Sequence, residues 1–275
     1  MTRPLERAIT VAATRAAAPG GIRFTERQLY YETCRVLRPT PAILHRIPRT
    51  PAPPLRLSRF TRALDTLGRD AVPGLLPEPT PGPRPGDEAP REPDLYDYGL
   101  PRLLVCQDRS IARMLLANHI HLEAGCPVLA AEDLPPTPRL MAALEQAEGA
   151  TVHVVHDAGA AGIALPAHVR AALGPVPGVR VSSLGLVPRH AAALHLVSGR
   201  RPDPVPPTGP LPAGLRPQEV TWLAEGRFTQ VAAVPPAQLL RTVLRLTRGP
   251  RPPRHSVWTE LRDLRTAGFL TWPTA

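Results

Sequence analysis

From residue 100 to residue 184 short apolar runs alternate with segments of helical spacing. The runs are RLLVC, CPVLAA, TVHVV and VRVSSL. Between them lie SIARMLLANHIHLEA, RLMAALEQAE and ALPAHVRAAL. That order predicts a parallel sheet with right-handed crossovers. The runs are almost continuously apolar, as strands are when helices cover both faces of a sheet. A short helix, LGLVPRHAAALHL, is expected after the fourth strand, and further helices at residues 218–225, 237–247 and 257–266.

The first 70 residues read differently. Residues 5–18 are Ala-rich with Leu5, Ile9, Ala12 and Ala13 at helical spacing, and Pro19-Gly20-Gly21 stops them. Thr25 followed by Gln28 forms a capping-box pattern that opens a second helix, ERQLYYETCRVL. A third, LSRFTRALDTLGR, is expected from a Ser58 cap. Residues 71–94 are rich in Pro, which lacks a backbone donor and favours extended, solvated chain. The expected organisation is therefore a helical part at 1–70, a Pro-rich linker at 71–99 and an α/β part at 100–275 with a C-terminal helical extension.

The formal net charge is +10, and every one of the 33 basic residues is Arg. Guanidinium forks grip phosphates bidentately, so a polyanionic partner is favoured. Without Lys there is no Walker A loop, and neither a G-x-S-x-G elbow nor an H-E-x-x-H pair is present. Three Cys at distant positions give neither a zinc spacing nor a disulfide framework, which suits a reducing cytoplasm. No apolar run has the length of a membrane span or a secretory core. Aromatics, at 4%, are too few for a stacking platform along a single strand.

RFTERQLYYETCRVL holds the first chemical candidates. At about 100° per residue, Leu29, Tyr30, Thr33, Val36 and Leu37 share one face, and Tyr31 falls opposite it. Tyr31 is thus the expected exposed phenol, with Arg27 and Arg35 beside it to offset phosphate charge and favour the phenolate. The run Thr25-Glu26-Arg27-Gln28-Leu29-Tyr30-Tyr31 resembles the active-site helix of the topoisomerase VI A-subunit family, which includes the meiotic double-strand-break transesterases. The resemblance implies a winged-helix, CAP-like domain at 1–70. Tyr31 would attack double-stranded DNA, Arg27 would help it, and Arg27, Arg35 and Arg38 would contact DNA.

The α/β part resembles the Toprim domain that follows in that family. Toprim domains carry a Glu after the first strand and an Asp-x-Asp after a later one, and these carboxylates hold Mg²⁺. Here the Glu position is Gln107. The motif HDAGAAG keeps Asp157 and Gly162 but has Gly159 at the second Asp. One carboxylate where three are usual implies weak or absent Mg²⁺ binding. Asp108 is a further metal candidate if it swings in at the strand end, and a rebuilt set of Asp108, Asp133 and Asp157 is an alternative. His156, next to Asp157, is either a general base or a hydrogen-bonded loop histidine. His119 and His121, two apart on a helix, diverge too far to share a metal. Arg248, Arg251 and Arg254 form a basic tail able to meet phosphates.

The resemblance implies a DNA-binding protein whose tyrosine-dependent, type II topoisomerase-like (isomerase) cleavage is weakened or lost. It also implies a homodimer and a separate ATPase partner subunit, in the cytoplasm or on the nucleoid. Two alternatives stay open: an active Mg-dependent tyrosine transesterase or nuclease of a defence type, and a non-enzymatic α/β protein-interaction module.

Overall fold

The computed structural model describes residues 3–38, 48–78, 99–147, 149–201 and 214–248. The first part contributes α1 (Arg3–Ala16), α2 (Glu26–Leu37) and α3 (Leu57–Leu67). Then follow β1 (Arg102–Cys106), α4 (Arg109–Ala117), α5 (Ile120–Ala124), β2 (Val128–Ala130), α6 (Pro138–Gln146), β3 (Thr151–Val155), α7 (Ala160–Leu173) and β4 (Arg180–Ser183). Beyond the sheet come α8 (Pro188–Ala193), β5 (Gly199–Arg200), α9 (Pro217–Ala224), β6 (Arg227–Phe228) and α10 (Pro236–Arg248). No helix among the described residues is long and apolar enough to cross a membrane.

The four main strands form one parallel sheet, as the alternation predicts, and their order is β2-β1-β3-β4. Side chains on a strand alternate between faces. Leu103 and Val105 accordingly join Val152 and Val154 under α6 and α7, through Leu140, Leu144, Val169 and Leu173. Leu104 and Cys106 face the other way, onto Ile111 and Leu115 of α4. That second cluster continues without a break into Ile9, Phe24, Leu29 and Phe60. The architecture is therefore mixed α/β, with N-terminal helices packed on one face of a helix-flanked parallel sheet.

Several local expectations need correction. Residues 110–124 are two helices, not one: the backbone breaks at His119, which is left-handed with φ 58°. Next to the break, the Asn118 side chain accepts from the Arg23 N–H at 2.9 Å and donates to the Arg23 carbonyl at 2.8 Å. The α3 helix starts at Leu57 after Arg56, and Ser58 does not cap it. The Pro-rich segment expected at 71–99 begins as packed chain: Val72 is buried and Leu75 bridges Phe24. The 1–70 part shows three α-helices and that single bridge, with no hairpin wing among the described residues. Residues 79–98 of the linker, the 257–266 helix, and Arg251 and Arg254 lie outside the described residues.

Candidate functional site

In an open parallel sheet, ligands bind beyond the strand C-termini where the chain reverses its direction of travel across the sheet. Here that point lies between β1 and β3, because β1 has β2 on one side and β3 on the other. Gln107 follows β1 and Asp157 closely follows β3, so both lie at this switch point. They line a pocket of about 360 Å³ together with Arg27 and Tyr31. A wider pocket of about 610 Å³ beside α1 is lined by Ala, Thr, Pro, Gly and Val, without an ionisable group.

Three local features build the site. The Thr25–Gln28 capping box forms as expected, with reciprocal bonds of 3.1 and 2.9 Å. It fixes the start of α2 so that Arg27 and Tyr31, four residues apart, lie on one side of the helix. Beyond β3, Ala158 pairs with Thr229 in an antiparallel bridge, through bonds of 2.9 and 2.8 Å. That bridge lays the 228–231 segment across the sheet edge. Finally, α7 starts at the pocket. A Cβ on Gly162 would sit 2.2 Å from the Asp157 carbonyl oxygen and 2.8 Å from Gln107 Oε1, so the helix approaches this closely only with glycine there.

The polar groups are tied to one another. Asp157 N–H donates to Gln107 Oε1 at 2.8 Å, and Val231 N–H donates to Asp157 Oδ1 at 2.7 Å. The Tyr31 hydroxyl donates to Gln230 Oε1 at 2.9 Å. Burial raises the Asp157 carboxyl to about 6; the Val231 N–H opposes this, Asp108 adds to it, and Arg27 and Arg201 oppose it. Burial also pushes the Tyr31 phenol up, far more than the nearby Arg27 pulls it down.

Tyr31 is thus not the exposed phenol expected: it is 5% exposed. The single-face reading of α2 fails because the helix is packed on more than one side. Residues 28–34 are all buried, between α1 and the turn at Val231–Ala233, while Leu37 is 43% exposed. Tyr30 is the packing tyrosine, its hydroxyl bonded to the Leu55 carbonyl at 2.7 Å. Arg35 is committed to structure: it grips the buried Glu32 carboxylate at 2.5 Å and donates to the Ala233 carbonyl at 2.6 Å. Arg38 is exposed at the end of α2 and does not line the pocket.

Asp108 does not join Asp157. Its carboxylate caps α4, accepting from Ser110 N–H at 2.8 Å, and it lines a neighbouring groove that also reaches Arg27. Asp133 is held by Arg109 at 2.5 Å, and Glu132 pairs with the same arginine. The rebuilt three-acid set is therefore not assembled. No cluster of three or more His, Cys, Asp or Glu positioned for a metal occurs among the described residues. Asp157 and Gln107 offer a dication a single charge, and each has an oxygen already accepting a hydrogen bond; this is a poor fit to Mg²⁺. His156 is the bonded loop histidine. Its Nδ1–H donates to the Asp157 carbonyl at 3.0 Å and its Nε2 accepts from the Ser183 hydroxyl at 2.7 Å. Burial lowers its pKa below the ordinary imidazole value, against the hydrogen bond to the Asp157 carbonyl.

Arg201, Arg227, Phe228 and Gln230 also line the pocket, and no motif points to them in advance. They arrive through β5 and β6, two residues each, too short to leave a periodic signal. No family model matches the chain, and neither a curated protein nor a solved structure does.

Proposed function

We propose that the chain is a DNA-binding protein of the topoisomerase VI A-subunit type in which tyrosine-dependent strand cleavage is lost or weak. One observation carries this reading. Arg27 and Tyr31 of the helical part, and Gln107 and Asp157 of the α/β part, align with separate motifs of that family, and all four line one pocket. Arg27 and Arg201 make no ion pair at contact distance among the described residues, and both line the pocket where a phosphate would sit. The silencing follows from chemistry. A buried phenol that donates to Gln230 stays protonated, and one carboxylate holds Mg²⁺ poorly. A homodimer, an ATPase partner subunit and residence on the nucleoid come with the resemblance and form part of the proposal.

The test has two arms. Duplex DNA titrated against the protein at rising salt should lose affinity along a steep log–log slope, and Arg27→Ala should make the slope shallower. A flat response would favour the protein-interaction module. Supercoiled plasmid incubated with Mg²⁺ or Mn²⁺ should emerge unchanged from wild type and Tyr31→Phe alike. Nicking by wild type alone would favour the active transesterase.

A further inference from the structure

Resting on that reading, we propose that the switch-point pocket takes a nucleoside monophosphate, either as the phosphorylated end of a DNA strand or as a free nucleotide. Its volume of about 360 Å³ falls in the range of roughly 300–1,000 Å³ that small-molecule sites span. An internal phosphodiester carries one negative charge. A terminal phosphomonoester carries close to two at neutral pH, as other phosphomonoesters do. Arg27, Arg201 and Arg227 line the pocket with the Asp157 carboxylate, and three cations less one anion leave two positive charges to meet that dianion.

The first turn of α7 adds donors to the same spot. Gly159, Ala160, Ala161 and Gly162 line the pocket. The Gly159 cap has no side chain to satisfy the opening N–H groups, and these have no acceptor within the helix. Small residues here leave the backbone open to an anion.

A base has its own surface. Phe228 lines the pocket, its ring set against Gly199, where a Cβ would come within 2.5 Å of the ring. The Arg201 guanidinium lies 5.9 Å from the ring centroid. The guanidinium lies over the ring, so the two form one cation–π stack against which a base can add. The pocket thus offers cations and backbone donors for a phosphate and a flat apolar patch for a base.

The experiment compares short single-stranded oligonucleotides with a 5′-phosphate, a 3′-phosphate or neither, by fluorescence anisotropy at fixed salt, with dAMP as competitor. A terminal phosphate should tighten binding about tenfold, and dAMP should compete with it. Arg201→Ala and Phe228→Leu, checked by thermal melting for folding, should each abolish the preference. If the unphosphorylated strand binds equally and dAMP does not compete, this inference falls while DNA binding stands. If dAMP binds and no oligonucleotide does, the nucleotide site stands and the DNA reading falls. Absence of all binding overturns both.

Discussion

The Tyr31 hydroxyl donates to Gln230 Oε1 at 2.9 Å, joining residues 199 positions apart. The bond stitches α2 to the segment that follows β6 and closes one wall of the pocket. Tyr31→Phe removes it and leaves the amide oxygen with one partner fewer. The expected cost is about 1 kcal/mol, a fall in melting temperature of about 2–4 °C for a chain of this size. A larger loss would show that the hydroxyl does more than hold Gln230.

Asp157 gives the protein a pH dependence. Folding raises this carboxyl from the ordinary 3.8 to about 6. Between those values the folded protein holds a proton that the unfolded chain has released. Stability from this group is therefore whole below 3.8 and is lost as pH rises through about 6. Asp157→Asn keeps an oxygen for the Val231 N–H and removes the buried charge. It should stabilise the protein at neutral pH by on the order of 2 kcal/mol, with the gain vanishing under acid conditions. Urea melts of both proteins at several pH values measure this, and a gain independent of pH would refute the assignment to Asp157.

Gly162→Ala places a Cβ 2.2 Å from the Asp157 carbonyl oxygen. Backbone cannot yield as a flexible side chain does, so the start of α7 must shift. The expected destabilisation is about 1–3 kcal/mol, accompanied by weakened ligand binding at the pocket. Gly185→Ala, whose Cβ would lie 2.3 Å from the His156 ring, should destabilise similarly and reach the pocket only through the His156 bond to the Asp157 carbonyl, so its effect on binding should be smaller. Differential scanning calorimetry and a binding titration separate the two.

Arg35 and Arg38 should part company. Arg35→Ala strands the Glu32 carboxylate, whose side chain is only 7% exposed, and removes a bond to the Ala233 carbonyl. Since Arg35 itself is partly solvated, the loss is about 2 kcal/mol rather than that of a fully buried pair. Arg38→Ala should leave the melting temperature unchanged within error. If it also leaves DNA affinity unchanged, Arg38 drops out of the proposed contact surface.

Features under short-range chemical control are legible in the order of residues. Thr25 and Gln28 announce the start of α2 because the capping bonds span three residues. RLLVC and TVHVV read as β1 and β3 because each carries the apolar run of a strand covered on both faces. Which side of α2 meets solvent depends instead on long-range packing. Tyr31 is buried because a turn from residues 231–233 packs where a wheel drawn for one apolar face leaves open water. The same segment decides Asp157: its burial and its bond to Val231 come from chain 74 residues away. Contacts of that range are set by how the whole chain condenses, and two-residue strands such as β5 and β6 leave no pattern from which to foresee them.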